Sequence, residues 1–180
     1  MKATRYMLAA MVLGTALGAS QANAQASCSS QTGSCTATNT ASVTVGALVK
    51  FDMGSATTAL TAPTPAQIEA GAVISNNGPT FAIKANRAWT LKIKSLAAVD
   101  WTYTGADAGV KPIGDLAWSN ALAGTYVPIT ASDVTFSSGA KTSGTNQGIY
   151  FQTTWAQGFA LASNAPGQYD LPIQFTLSAP

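Results

Sequence analysis

The chain has 180 residues, a formal net charge of +2 and no histidine, and only 9% of its residues are charged. Without histidine it lacks the Ser-His-Asp and Cys-His catalytic arrangements. So few charges also exclude the basic surface that nucleic-acid binding requires. We therefore expect a non-enzymatic protein without catalytic residues, metal ligands or a cofactor.

Residues 1–24 have the pattern of a secretory signal peptide. Lys2 and Arg5 precede a short apolar run over residues 7–19, and residues 22–24 read Ala-Asn-Ala, a cleavage pattern. The apolar run is too short for a hydrocarbon core of about 30 Å, so we expect no transmembrane segment in the mature chain. Removing Lys2 and Arg5 leaves seven basic against seven acidic residues. The sequence predicts a neutral protein that is exported to the periplasm, the cell surface or the medium.

Residues 25–40 form a polar leader rich in Ser, Thr, Gly and Gln. It contains the two cysteines of the chain, Cys28 and Cys35. In an oxidising compartment these two side chains are expected to form a disulfide that closes a short loop. A zinc site would need further Cys or His ligands, and the spacing does not match the Cys-x-x-Cys pattern of redox pairs.

From residue 41 onwards the sequence alternates between apolar and polar residues. Val43, Val45 and Val49 share one face of a strand predicted over residues 41–53. A single helical turn is predicted over residues 65–70, because Thr64 can cap it and Pro65 suits its first position. A short strand over residues 70–75 and a tight turn over residues 76–79 are expected to follow.

The next part of the chain predicts a hairpin and then several short strands. Residues 81–85 and 89–95 alternate with their apolar side chains on one face, and Asn86-Arg87 is the expected turn between them. Further strands are predicted at 99–103, 116–118, 125–129, 134–136 and 148–155. Pro128 confines the strand over residues 125–129 to a sheet edge or interrupts it. A flexible loop is expected over residues 137–147.

The last strand has the clearest pattern in the chain. Tyr169, Leu171, Ile173, Phe175 and Leu177 alternate with polar residues and with Pro172. Pro172 cannot donate a ladder hydrogen bond, so this strand is expected to lie at or near a sheet edge, or to carry a bulge at that position. Eight to ten short strands in all predict one all-β domain over residues 41–180, an antiparallel β-sandwich of immunoglobulin-like or jelly-roll-like type.

Two tryptophans and three aspartates are the remaining candidates for a functional site. Trp118 and Trp155 could contact a ligand as a carbohydrate-binding platform, although aromatic residues in such strands more often fill the core. Asp107 and Asp115, with Asp100 nearby, could serve a hydrolase or a calcium ion. Loop aspartates more often form turns, and we assign these three neither role.

Several segments resemble exported bacterial surface proteins. They are Thr80–Lys84 followed by Trp89–Ile93, then Pro166-Gly167-x-Tyr169, and the closing stretch Phe175–Pro180. The arrangement looks like WxL-type cell-surface domains and like the subunits of secreted pili. The chain carries Phe175-Thr176-Leu177 where the WxL pattern has Trp-x-Leu. The resemblance implies an exported β-sandwich at the cell envelope.

These features favour a structural or adhesive protein of the cell surface, with copies of itself or an envelope glycan as partner. In a pilin-like filament, the leader and the first strand could add to the sheet of a neighbouring copy. The expected strand-exchange and edge residues are Val43, Val45, Val49, Tyr169, Leu171 and Ile173. The alternative is an extracellular carbohydrate-binding module.

Overall fold

The computed structural model describes residues 33–180, so the predicted signal peptide and Cys28 lie outside the described residues. The chain divides into two compact units, residues 1–44 and residues 45–180. The described part of the first unit contains no helix or strand. The second unit contains ten strands: β1 (Val49–Met53), β2 (Val73–Ala85), β3 (Trp89–Ser95), β4 (Thr102–Gly105), β5 (Leu116–Ser119), β6 (Val127–Pro128), β7 (Val134–Gly139), β8 (Thr142–Thr154), β9 (Gly167–Asp170) and β10 (Ile173–Ser178). It also has one α-helix, α1 (Pro65–Ala70), and two 3₁₀ turns, Ile113–Asp115 and Ala162–Asn164.

The strands form two larger sheets and a separate pair. Sheet A has the order β1-β2-β8-β5-β6, sheet B has the order β10-β3-β7, and β4 pairs with β9. Every pairing is antiparallel. The prediction of an all-β antiparallel sandwich is therefore confirmed, and so is the edge position of Pro128, which lies in the outermost strand of sheet A.

The core lies between sheets A and B. Alternate residues of the central strands point inwards and are buried, as expected for strands with one face on a core. Phe81, Ile83, Ile149, Phe151, Leu116 and Trp118 come from sheet A, and Leu91, Ile93 and Phe136 come from sheet B. Aromatic side chains join the two sheets, since the rings of Phe81 and Phe136 meet edge to face with their centroids 5.7 Å apart.

The predicted hairpin of residues 81–85 and 89–95 is wrong in its pairing. Strand β2 pairs with β1 and β8 in sheet A, whereas β3 pairs with β10 and β7 in sheet B. Residues 86–88 carry the chain from one sheet to the other. Alternation predicts which side chains are buried, but strands of opposite sheets bury their apolar residues in the same core. The pattern is therefore equally compatible with a hairpin and with a crossover.

Two further expectations for this region are corrected. Residues 76–79 form no turn, because β2 runs on through them with an irregular register between Asn77 and Thr80. Gly78 permits this close approach, since a Cβ there would lie 2.6 Å from the Ile149 Cγ2 atom. Most of the segment predicted as a loop, residues 137–147, belongs to β7 and β8. Its Ser, Thr and Gly residues pair through their backbone, which needs no apolar pattern.

The predicted strand over residues 41–53 is only partly present. Strand β1 begins at Val49, and residues 41–48 have no strand structure. Just before β1 the chain is held by Asn86, whose Nδ2 donates to the Gly46 carbonyl at 2.9 Å and whose Oδ1 accepts from the Leu48 amide at 2.9 Å. Alternation favours a strand only where a neighbouring strand is present to pair with it.

The helical turn is confirmed with its predicted cap. The Thr64 side chain accepts from the Gln67 amide, and the Gln67 side chain accepts from the Thr64 amide at 2.8 Å. This reciprocal capping box satisfies two backbone donors at the start of the helix. Ile68 is the buried residue of α1.

The terminal strand is divided in two. Residues 167–170 pair with β4, residues 173–178 pair with β3, and Leu171 and Pro172 lie between the two parts. The prediction of one continuous strand over residues 169–177 is therefore wrong, because Pro172 interrupts the ladder. The predicted edge position is confirmed, since β10 is the outermost strand of sheet B.

The strand predicted at residues 99–103 begins later than expected, because β4 begins at Thr102.

Candidate functional site

A groove of about 1150 Å³ lies beside the terminal strand. One wall is the irregular segment over residues 55–63, and the other wall is the chain from β9 into β10. Most of the side chains that face it are apolar or aromatic. They include Leu60, Ile68, Phe151, Trp155, Tyr169, Leu171, Ile173 and Phe175.

The first wall is held by two hydrogen bonds to β2. The Gly54 amide donates to the Thr80 carbonyl at 2.9 Å, and the Thr61 amide donates to Asn76 Oδ1 at 2.7 Å. Asn76 is buried, and its Nδ2 donates to the Ile74 carbonyl at 3.2 Å. The segment between these anchors therefore stands beside the core without pairing as a strand.

The second wall presents an unpaired strand edge. Within the described part of the chain, β10 pairs with β3 on one side and with no strand on the other. The side chains of Leu171, Ile173 and Phe175 are only half-buried. The Phe175 ring lies 4.8 Å from that of Phe81 and 6.5 Å from that of Phe51. An edge with free backbone groups and half-buried apolar side chains is suited to pairing with a further strand.

A buried ion pair lies at the end of the groove near β9. Lys111 is 0% exposed, and its Nζ donates to Asp115 Oδ2 at 3.1 Å and to the Thr154 carbonyl at 2.6 Å. The same ammonium group lies 4.1 Å from the centroid of the Trp155 ring. Burial lowers the pKa of Lys111, and the charge and hydrogen bond of Asp115 offset part of that effect.

Two polar atoms beside this ion pair have no hydrogen-bond partner among the described residues. They are the Thr153 hydroxyl and the Trp155 indole nitrogen, and both residues line the groove. Thr153 is only 2% exposed. Leaving a buried donor or acceptor unsatisfied costs about 1–3 kcal/mol. Both atoms are enclosed by protein, so they are not presented on the surface of the groove.

Two tyrosines of the β4–β9 pair support the same end of the groove. Tyr103 and Tyr169 lie opposite each other with ring centroids 4.9 Å apart. Tyr169 Oη donates to one of two nearby carbonyls, those of Ala162 at 3.2 Å and Ala165 at 3.0 Å. Burial, with a smaller contribution from Tyr103, raises the pKa of Tyr169. These contacts hold the 162–166 segment against β9.

The structure places the two candidate tryptophans differently. Trp118 is 6% exposed and packs on Phe136 with ring centroids 5.3 Å apart, so it forms no surface platform. Trp155 lines the groove. Lys111 lies over its ring, and it meets Tyr169 edge to face at 6.2 Å.

The predicted strand-exchange residues fall into two sets. Tyr169, Leu171 and Ile173 all line the groove. Val43 and Val45 are 88% and 69% exposed, and Val49 is also exposed, at the start of β1. The pairing of Cys28 with Cys35 stays a prediction, because Cys28 lies outside the described residues.

Of the three candidate aspartates, Asp115 forms the ion pair with Lys111. Over residues 33–180, no three residues of the types His, Cys, Asp and Glu are grouped so that they could hold a metal ion. Sequence reasoning missed the functional interest of Lys111, Thr153 and Asn76. The one available signal was the i, i+4 spacing of Lys111 and Asp115.

Among residues 33–180, no helix has the length and apolar character needed to cross a membrane.

No protein-family model matches the sequence, and the comparison with curated proteins found no match. Among solved structures, the chain is similar to one from a chaperone–usher pilus, in a study of the molecular basis of rod uncoiling. The TM-score is 0.44 at 12% identity, over 85% of this chain and 99% of the pilus chain. The class of protein that the fold itself defines is an antiparallel β-sandwich with an apolar groove at a free strand edge.

Proposed function

We propose that the protein is a non-enzymatic structural subunit of an exported cell-surface assembly, in which an N-terminal segment of one copy adds to the groove of the next. The observation that carries the proposal is the apolar groove beside the unpaired edge of β10. The same chain carries an exposed, alternating apolar segment of the kind that such an edge accepts.

The donor in this proposal is the segment over residues 41–48. Its odd-numbered residues are Ala41, Val43, Val45 and Ala47, and no residue from 36 to 49 is charged. Val43 and Val45 are among the most exposed large apolar residues of the described chain. Alternation without a pairing partner is the property expected of a strand that completes its pairing on another molecule.

The acceptor is the edge of β10 together with the groove. Strand addition would give the free backbone groups of β10 hydrogen-bond partners, and alternate side chains of the donor would cover Leu171, Ile173 and Phe175. Burial of apolar surface favours such a contact by about 25 cal/mol per Å², from which the entropic cost of association is subtracted. The donor is uncharged. The charged residues that line the groove are Lys111, which is paired with Asp115, and the exposed Asp170.

Donor and acceptor are different surfaces of one chain. A contact between them is heterologous, and heterologous contacts that do not close into a ring produce an open polymer. The proposal therefore predicts a filament in preference to a symmetric dimer.

A charge inserted on the apolar face of the donor tests this function. Full-length mature protein should polymerise, and Val43→Asp with Val45→Asp should leave it monomeric in size-exclusion chromatography and negative-stain images. The matched control is Ser42→Asp with Thr44→Asp, which adds the same charge to the opposite face and should still polymerise. The proposal would be contradicted by a wild-type protein that stays monomeric at all concentrations. It would also be contradicted if the Val43→Asp, Val45→Asp variant assembled like the control.

A second candidate is binding of an envelope glycan in the groove. The observation in its favour is the presence of Trp155 and Tyr169 in a groove with few charges, since aromatic rings pack on sugar faces. Titration with polysaccharides should then shift the tryptophan fluorescence of the wild type but not that of Trp155→Leu. An unchanged wild-type spectrum across the series would remove this candidate.

A further inference from the structure

The charged side chains of the sandwich are sorted between its two ends. Three ion pairs, Lys50–Asp52, Lys94–Asp133 and Lys111–Asp115, take up six of the fourteen charged residues that follow the predicted signal peptide. The other eight have no ion-pair partner within residues 33–180. Four of them are basic and four are acidic: Lys84, Arg87, Lys92 and Lys141, and Glu69, Asp100, Asp107 and Asp170.

One end of the sandwich is basic. It is the end at which residues 86–88 cross from β2 to β3, and we call it the crossover end. Lys84 lies next to the last residue of β2, and Arg87 lies within the crossing. Lys141 directly precedes β8, whose first residue is aligned with the last residue of β2. These three side chains are exposed, and the fourth basic residue, Lys92, lies within β3.

The opposite end, which we call the β9 end, is acidic. Strand β2 has 13 residues, about 43 Å of extended chain, and Glu69 lies in α1 just before it begins. Strand β3 runs back from the crossover end, so Asp100, which follows β3, lies at the β9 end. Asp107 follows β4, and Asp170 is the last residue of β9, the partner of β4. All four acidic side chains are exposed.

Exposed apolar side chains accompany the charges at the β9 end. The segment over residues 158–162 is attached there, because the Gly158 amide donates to the Ile68 carbonyl at 3.0 Å and the Val110 amide donates to the Ala162 carbonyl at 3.0 Å. Five large apolar residues at this end are between 43% and 67% exposed: Leu96, Val99, Val110, Phe159 and Leu161. Exposed apolar residues together with unpaired charges are typical of a surface that contacts another protein.

The N-terminal segment joins the sandwich at the crossover end. Asn86 holds the chain there through the Gly46 carbonyl and the Leu48 amide. Val45 directly precedes Gly46, so no flexible linker separates the apolar residues of the donor from the crossover end of its own copy. The groove lies towards the other end, between residues 55–63 and the chain from β9 into β10. Strand addition therefore brings the crossover end of the donor copy close to the acceptor copy.

We infer that the crossover end of one copy docks on the β9 end of the next, with the three basic side chains of the first facing the four acidic side chains of the second. The partner is a second copy of this chain, because one chain carries both complementary surfaces. Contacts between two like ends would bring like charges together and are disfavoured. The inference rests on the proposed function, because it takes the copies to be joined through the inserted strand, and it fixes their order as head to tail.

The test reverses the charge of one end at a time in the full-length mature protein. Arg87→Glu with Lys141→Glu makes both ends acidic, and Asp100→Lys with Asp107→Lys makes both ends basic. Each double variant alone should raise the critical concentration for polymerisation about tenfold at low salt. An equimolar mixture of the two should assemble with a critical concentration near that of the wild type, because acidic and basic copies then alternate. These differences should shrink at about 1 M salt, where the Debye length is about 3 Å.

The matched control is Lys92→Glu with Lys94→Glu. It makes the same change in net charge as Arg87→Glu with Lys141→Glu, but within β3 and away from both ends, and should stay within about twofold of the wild type. Sedimentation gives the critical concentrations, and circular dichroism confirms that each variant is folded. The docking of unlike ends would be overturned by a mixture that assembles no better than its separate components, or by a control that loses as much as the two end variants.

The outcomes separate this inference from the proposed function. If the wild type polymerises, Val43→Asp with Val45→Asp does not, and the charge variants behave like the control, strand addition stands and the end-to-end docking fails. If the Val43→Asp, Val45→Asp variant polymerises like the wild type while the two charge variants assemble only as a mixture, the docking stands and strand addition fails. A wild type that never polymerises overturns both.

Discussion

Lys111 and Trp155 form a buried cation–π contact, with the Lys111 ammonium nitrogen 4.1 Å from the centroid of the indole ring. The same ammonium donates to Asp115 and to the Thr154 carbonyl. A lysine so fully removed from solvent is stabilised by these three partners, yet its charged form remains penalised by desolvation.

This contact predicts a particular pH dependence of stability. Because the pKa of Lys111 is lowered in the folded protein, the unfolded chain binds more protons between that lowered pKa and the ordinary value of 10.5. The free energy of unfolding contributed by Lys111 therefore rises with pH in that window. Urea unfolding of the wild type and of Lys111→Met should show a smaller rise in the variant.

The measurement should stop below about pH 10, because the raised pKa of Tyr169 has the opposite sign and lowers the stability above the ordinary tyrosine pKa. Lys141→Met removes the same charge from an exposed lysine and serves as the control. Identical slopes for Lys111→Met and the wild type would show that the burial of Lys111 has no effect on its titration.

Phe175→Ala should destabilise the protein by about 2 kcal/mol. The Phe175 ring packs against those of Phe81 and Phe51, and its half-exposed position keeps the loss below that of a fully buried phenylalanine. Thr176→Ala, on the exposed face of the same strand, should change the stability by no more than about 0.5 kcal/mol. Chemical denaturation gives both values, and equal losses would contradict the inward orientation of Phe175.

Asn76→Ala should loosen the wall of the groove formed by residues 55–63. It removes the acceptor for the Thr61 amide, and we expect faster cleavage within this segment by a non-specific protease, located by mass spectrometry. Asn77→Ala changes an exposed neighbour and should leave the cleavage rate unchanged. Cleavage confined to other segments would show that Asn76 does not anchor this wall.

Gly78→Ala should destabilise the protein by about 1–3 kcal/mol. An added Cβ would meet the Ile149 Cγ2 atom at 2.6 Å and the Phe151 Cε2 atom at 2.7 Å, so the irregular part of β2 would have to move away from β8. Gly144→Ala is the matched control in β8, because no atom lies within 4 Å of a Cβ at that position. Thermal unfolding compares the two, and a stable Gly78→Ala protein would contradict the close approach.

The sequence predicted the inward faces of the strands better than their partners. Phe81, Ile83, Leu91 and Ile93 were expected in the core and are buried there. Their division between two sheets could not be predicted, because alternation has the same form on either side of a shared core. The length of strand β8 was underestimated for a different reason, since it begins at Thr142 and not at residue 148. Residues such as Thr145 and Asn146 pair with β2 through backbone groups, and their polar side chains gave no signal.

In the groove, too, local features could be predicted from the sequence and contacts between distant segments could not. Pro172 correctly indicated a free edge, because its missing N–H is a local property that can be recognised in the sequence. The burial of Lys111 depends on Thr154 and Trp155, which lie more than 40 residues away in the chain. Apart from its i, i+4 spacing with Asp115, nothing near Lys111 in the sequence distinguishes it from a solvent-exposed lysine. Sites formed by distant segments therefore required the structure.

The pairing of β10 with β3 has a consequence for the order of folding. Ser178 is aligned with Thr90 and Ile173 with Ser95, so sheet B joins residues separated by about 80 positions in the chain. Closing so long a loop slows folding, because its entropy is lost before the strand contacts form. Until residues 173–178 have been added and docked, Leu91 and Ile93 lack one neighbouring strand. The period between synthesis and docking of this last strand is when the chain is most exposed to wrong pairing.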